Sequence, residues 1–131
     1  MKLRTIVTED YPRLISFWKE NYLITEVDTE EHFSLFLDKN KDLSILAEDE
    51  GEILGTALGS YDGRRGYLQK VVISKKTRRQ GIGKRIVQEV CQRLKKAGAV
   101  FIPISVDKTL IPFYESCGFI QQDAQSMSKA L

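Results

Sequence analysis

Val71-Val72-Ile73-Ser74-Lys75-Lys76-Thr77-Arg78-Arg79-Gln80-Gly81-Ile82-Gly83-Lys84-Arg85-Ile86-Val87 joins a short β-branched run to the glycine-led, cationic start of an amphipathic helix. Val71 to Ile73 suits a buried strand. Ile82, Ile86, Val90 and Leu94 recur every four residues with Val87 and Cys91 beside them, so the spacing predicts a helix with one apolar face that Gly98 stops. Its first turn falls near Gly81. At such a start about four backbone N–H groups lack intrahelical acceptors, and the helix dipole places roughly half a positive charge there. Anions bind well at that place, and Gly81 and Gly83, lacking a Cβ, are expected to let phosphates come close to the main chain. Arg78, Arg79, Lys84 and Arg85 add charge around the same spot.

Two familiar phosphate loops do not fit. The Walker A order fails because Gly83-Lys84 is followed by Arg85 and has no glycine five residues before it. The dinucleotide fingerprint fails because its third glycine position holds Ile86, and residues 100 to 104 offer no carboxylate for a ribose. What remains is Arg78-Arg79-Gln80-Gly81-Ile82-Gly83, an Arg-x-x-Gly-x-Gly pattern that resembles the acetyl-CoA motif of the GNAT superfamily of N-acetyltransferases. Ile111-Pro112-Phe113-Tyr114-Glu115-Ser116-Cys117-Gly118-Phe119 is similar to that family's second recurring element, an aromatic-Tyr pair on a helix that ends in Gly-Phe.

Outward from these motifs the chain reads as one domain over 1–131. Its 131 residues are 42% hydrophobic with three prolines, enough for a core and too apolar for disorder. No apolar run reaches the eighteen or so residues of a membrane span, and Met1-Lys2-Leu3-Arg4 leads into a strand rather than a signal peptide, so a cytoplasmic location away from membranes is expected. Cys91 and Cys117 are read as structural thiols. A single histidine, His32, argues against a histidine metal cluster or a Ser-His-Asp triad, and no metal is expected.

Strands are expected over Leu3–Val7, Leu43–Glu48, Glu52–Tyr61 and Arg65–Ser74, the last three joined by the turns Asp49-Glu50-Gly51 and Asp62-Gly63-Arg64. Helices are expected from Thr8 to about Asn21, with Leu14, Ile15, Phe17, Trp18 and Tyr22 inward, and over Thr29–Leu37. After the phosphate helix come a strand Val100–Val106, a helix Thr109–Ser116 and a last pair of strands, Phe119–Gln122 and Ser126–Leu131. The order βααβββαβαββ is similar to the GNAT order. The resemblance therefore implies an α/β (α+β) GNAT fold whose mixed central sheet has two parallel strands, Tyr67–Ser74 and Val100–Val106, splayed to admit the cofactor's pantetheine arm.

The same resemblance implies transfer of an acetyl group from acetyl-CoA, as co-substrate, to a primary amine by direct attack in a ternary complex. Main-chain groups of Val71, Val72 and Ile73 would hold the acetyl carbonyl and pantetheine amides, and Arg78, Arg79, Gln80, Gly81, Ile82, Gly83 and Lys84 the pyrophosphate. An oxyanion donor such as the Val71 amide can contribute ~3 kcal/mol. Tyr114 takes the family's tyrosine position as acid for the leaving thiolate. A phenol of pKa about 10 protonates a thiolate of about 8.5 downhill only if its own value is lowered or the proton is shared, and the nearby helix start is expected to help. The alternative is a tyrosine packed over the cofactor.

A base is harder to name. An alkyl ammonium of pKa about 10.4 is neutral in about one molecule in a few thousand at pH 7, so freeing the amine costs about 4.6 kcal/mol. Some relatives carry a glutamate early in the splayed strand, where this chain has Tyr67. Asp62 and Glu26 could act through water, each with a turn or solvated reading beside it, and no base is assigned. Asp107 stands where many relatives have asparagine.

Charge separates along the chain. Residues 75 to 85 hold six Lys or Arg and no acid, which leaves −4 elsewhere out of a net +2. Residues 20 to 62 hold twelve acids against two lysines. In the family the helix pair after the first strand and its loop border the acceptor site, so Glu26 and Asp28 would draw a cationic small-molecule or peptide amine, with a solvated face as the alternative. A nucleic-acid partner for the cationic segment is disfavoured, because the segment has no aromatic residue and the total charge is nearly balanced. A GNAT-fold module that binds acetyl-CoA as a sensor without catalysis stays open, as does a homodimer.

Overall fold

Two tight turns fold the middle of the chain back on itself. Between Asp49 and Glu52 both central residues, Glu50 (φ 48°) and Gly51 (φ 81°), take positive φ, as a two-residue hairpin turn of matching twist requires. In the second turn Asp62 Oδ1 accepts from the N–H groups of Arg64 and Arg65, both at 2.7 Å. The computed structural model describes all 131 residues. Strands β1 (Lys2–Thr5), β2 (Ile45–Asp49), β3 (Glu52–Tyr61) and β4 (Gly66–Ile73) form one antiparallel sheet in that order. Helices α1 (Tyr11–Asn21) and α2 (Glu30–Lys39) precede β2, and α3 (Ile82–Ala97) and α4 (Ile111–Ser116) follow β4.

The sheet divides the apolar side chains into two layers. Ile6, Leu14, Phe17, Trp18, Phe33 and Leu37 pack with Leu46, Leu58 and Val72 on the α1–α2 face. Ile82, Ile86, Val87, Val90 and Leu94 of α3 pack with Ile45, Ala47, Ala57 and Leu68 on the other. The four-residue recurrence along α3 is thus its buried stripe, and Gly98 ends it at φ 123° with its N–H on the carbonyls of Leu94 and Lys95. Burial of one such Leu or Ile is worth about 1.5–3 kcal/mol.

Beyond β4 the structure departs from the expected order. The sheet is wholly antiparallel rather than mixed, and Val100–Val106 forms no ladder beside β4. One backbone bond joins them, Gly66 N–H to the Phe101 carbonyl at 2.9 Å. Pro103 has no N–H to give a sheet, so the segment is held by side chains instead: Ile102, Ile104 and Val106 pack against the α3 layer. Phe119–Gln122 and Ser126–Leu131 likewise form no strands; apart from half-buried Phe119 they are exposed, and Ser126 meets Ser105 at 3.1 Å. That tail carries too few apolar side chains to bury a sheet face.

Candidate active site

Lys70 and Val71 together face Ala57, because Thr56 pairs with Val72 and Leu58 with Gln69. This is a β-bulge, and it turns the strand over. Leu68 before it and Val71 and Ile73 after it all pack toward α3, whereas Val72 faces α1. In a regular strand Leu68 and Val72 would share a face. The bulge is braced from below: Trp18 Nε1 donates to Thr56 Oγ1 at 3.0 Å, and Thr56 Oγ1 donates to the Lys70 carbonyl at 2.9 Å. Lys70 itself holds φ 48°, an uncommon conformation for a non-glycine residue.

Three residues on, the chain leaves the sheet and turns into α3. Ser74 N–H still bonds to Leu54 O at 2.8 Å, Lys75 N–H to Asn21 Oδ1 at 2.9 Å, and Thr77 N–H to Ser74 O at 3.0 Å. From there to Arg85, whose N–H reaches Gly81 O at 3.2 Å, the seven consecutive N–H groups of Arg78 to Lys84 donate to no protein acceptor. Arg79 (φ 68°) and Gly81 (φ 79°) take left-handed conformations that bend this stretch. Exposed Arg78, Arg79, Lys84 and Arg85 surround it. Unpaired donors, a helix dipole and four cations form a cradle for an anion.

The two glycines differ in purpose. A Cβ on Gly81 would meet nothing within 4 Å, whereas one on Gly83 would lie 3.1 Å from Phe113 Cζ and 3.2 Å from Ile73 Cγ1. Only Gly81 faces outward; Gly83 is bare because α4 packs on it.

That packing brings Tyr114 into the apolar layer against α3. Its ring meets Phe113 and Phe119 edge-on at 4.9 and 5.7 Å, in the same apolar layer as Val71 and Ile73. Its hydroxyl bonds to no protein group and is not sealed, since no fully buried side-chain oxygen lacks a partner. Burial, then the nearby Cys117 thiol and Tyr22 phenol, push Tyr114 up to about 12. The expected lowering does not occur: Tyr114 lies toward the end of a six-residue helix, with its ring in apolar surroundings.

The carboxylates expected to border an amine acceptor are occupied differently. Asp28 pairs with Lys70 Nζ at 2.9 Å and accepts from Thr25 N–H at 2.8 Å, so its charge is neutralised inside the fold. Asp62 is the hairpin's turn residue, with Tyr67 O–H donating to it at 3.1 Å; the Arg65 and Arg64 N–H groups hold its carboxyl below the usual range, which makes it a weak base. Glu26 is exposed. Asp107 caps the turn Lys108–Leu110 by accepting from Thr109 N–H at 2.9 Å, work an asparagine would also do.

A family model described as the acetyltransferase (GNAT) family matches residues 2–119. The chain belongs to that family. GNAT folds of solved structure superpose over nearly the whole chain at low identity. They include glucosamine-6-phosphate N-acetyltransferase from Arabidopsis thaliana (TM-score 0.76, 21% identity, covering 98% of this chain and 97% of that one). A predicted acetyltransferase from Clostridium acetobutylicum, solved with acetyl-CoA, has TM-score 0.79 at 18% identity, covering 98% and 95%. Aminoglycoside 6'-N-acetyltransferase from Acinetobacter haemolyticus has TM-score 0.76 at 13%, covering 100% and 99%.

In this GNAT chain Val71, Ile73 and Tyr114 share the apolar layer against α3, the Arg78–Lys84 amides lie at the start of that helix, and Tyr67 lies with Asp62 at the far end of β4. Sequence reasoning missed Thr56, Asn21 and Lys70. A threonine inside an apolar strand and an asparagine closing an amphipathic helix carry no local signal of what they hold. A lysine immediately before Val71-Val72-Ile73 did carry one, since a cation at the edge of a buried run needs a partner.

Proposed function

We propose that the chain is an N-acetyltransferase that moves the acetyl group of acetyl-CoA to a primary amine by direct attack in a ternary complex. The observation that carries this reading is the run of seven unpaired amides at the start of α3, a few residues beyond the β4 bulge, with Gly83 packed against Phe113 of the Tyr114 helix. That run fits a pyrophosphate, with Arg78, Arg79 and Lys84 neutralising it. Bound there, acetyl-CoA would supply an acyl thioester open to nucleophilic attack. The Val71 main chain, freed from regular pairing by the bulge, is suited to hold the acyl oxygen as charge develops on it. The Tyr114 hydroxyl, which has no protein partner, would be free to donate a hydrogen bond to the departing sulfur. Water-linked loss of a proton from the amine needs no carboxylate fixed at Tyr67.

A second reading, an acetyl-CoA sensor without catalysis, is favoured by one observation: Asp28 and Asp62 are both tied up and neither serves as a free base. Thermal shift with acetyl-CoA and thiol release over a panel of amines separate the two. Stabilisation with release supports the enzyme, stabilisation without release for any amine supports the sensor, and no stabilisation sinks both.

A further inference from the structure

Lys70 is a cation with its side chain only 11% exposed, and such a group must be paired. Its Nζ lies 2.9 Å from Asp28 Oδ2 and donates to the Leu23 carbonyl at 2.9 Å. It also sits over the rings of Trp18 and Tyr22, 5.1 and 5.6 Å from their centroids. Leu23 and Asp28 lie near the two ends of the segment between α1 and α2, so one ammonium fastens both ends. Asp28 is further fixed by the Tyr11 hydroxyl on its carbonyl. Along the segment apolar side chains turn outward: Tyr22 is 63% exposed and Val27 62%, with Leu23 and Ile24 exposed as well.

The other end of Lys70 is fixed too. Its carbonyl takes the Thr56 hydroxyl and its φ is 48°, so the bulge that presents Val71 and the segment 22–29 are tied through a single residue. Tyr22, at the start of that segment, lies with its ring 5.6 Å from the Lys70 ammonium, so the segment is held from its first residue. The geometry points to Lys70 as a positioning residue that holds segment 22–29 at the acceptor side of the bulge and so sets how well the amine binds. This rests on the acetyl-transfer reading above. Lys70 touches no reacting atom; it acts through the segment it carries.

The test uses Lys70→Met, Lys70→Arg and the double variant Lys70→Met/Asp28→Asn, with the amine that the panel finds best. Lys70→Met is expected to raise the KM for the amine about tenfold or more, as misplacement of a binding element does, and to leave the KM for acetyl-CoA within about twofold. Chymotrypsin should cut after Tyr22 or Leu23 about tenfold faster in that variant, because the segment opens without global unfolding. Lys70→Arg should recover part of both. Lys70→Met also leaves Asp28 buried and unpaired, so the double variant should regain thermal stability yet keep the raised amine KM. Unchanged amine KM and cleavage would overturn the proposal, as would parallel shifts in both KM values. Cleavage needs no turnover: if no amine is acetylated the transfer reading fails on its own, while the protease rate still decides whether Lys70 anchors the segment.

Discussion

At the scale of a residue, the Tyr114 phenol is set against its own ionisation. With its pKa raised to about 12 by burial, complete proton transfer to a thiolate of about 8.5 would run uphill by about 4.8 kcal/mol. A hydrogen bond that tightens as the sulfur becomes negative has no such penalty, and in the proposed transfer the proton the sulfur finally carries would come in net from the amine nitrogen. Tyr114→Phe is therefore expected to lower kcat about 10²-fold while leaving the KM for acetyl-CoA nearly unchanged. The loss should be the same from pH 6 to 9, because a phenol titrating near 12 is fully protonated throughout. A loss that disappears above pH 8 would instead mean a lowered tyrosine giving up its proton. Ultraviolet titration checks the premise directly: the wild type should show one tyrosine ionising near pH 12 that Tyr114→Phe lacks. The sign for stability follows. A raised folded-state pKa favours the native state below about pH 10, and that contribution is lost as pH rises from there through 12.

Among the elements, α3 carries two demands at its first turn that the sequence writes with the same letter. Gly83→Ala presses a methyl onto Phe113 and Ile73 and should lower stability by about 1–3 kcal/mol. Gly81→Ala meets open space but sits at φ 79°, so its stability loss should be smaller, about 1 kcal/mol, while its methyl enters the anion cradle. Thermal melts with and without acetyl-CoA should show Gly83→Ala with a low melting point and a retained ligand shift, and Gly81→Ala the reverse. Both glycines were legible as a motif, but not their separate work, because that depends on α4 arriving from thirty residues downstream. The three meander strands and α3 were readable for a related reason: short turns and a four-residue period are local signals. The β4 bulge was not, since Val71-Val72-Ile73 reads as a plain strand and only Thr56, in another strand, shows where the ladder slips. Val100–Val106 was misread because its alternation of apolar residues is real and does face the core, while pairing requires a donor that Pro103 lacks. Asp28 was misread because its partner, Lys70, is distant in sequence, so the acid looked free.

For the whole molecule, the chain start is closed onto the sheet by Arg4, which donates to Asp10 at 2.8 and 2.9 Å and to Glu48 at 2.9 Å. These bonds tie β1, the turn before α1 and β2 into one unit beneath the α1–α2 layer. Asp10 is nearly buried, and burial alone would push its carboxyl up; the Arg4 guanidinium and the Val7 N–H outweigh that and hold it below the usual range. Arg4, and then Arg13, hold Glu48 down as well. Two depressed carboxyls contribute stability that is complete above their unfolded values of about 4 and disappears as pH falls through the lower folded ones. Denaturant melts should therefore show a steep loss of stability below about pH 4. Arg4→Met removes the partner and leaves Asp10 buried with one N–H, so at pH 7 it should be less stable by about 3 kcal/mol. Its curve should also be flatter in acid, because Asp10 then gains rather than loses by taking a proton, and the two proteins should converge near pH 3. Curves that stay parallel from pH 7 to 3 would mean that Arg4 stabilises the fold through the packing of its aliphatic stem rather than through these carboxylates.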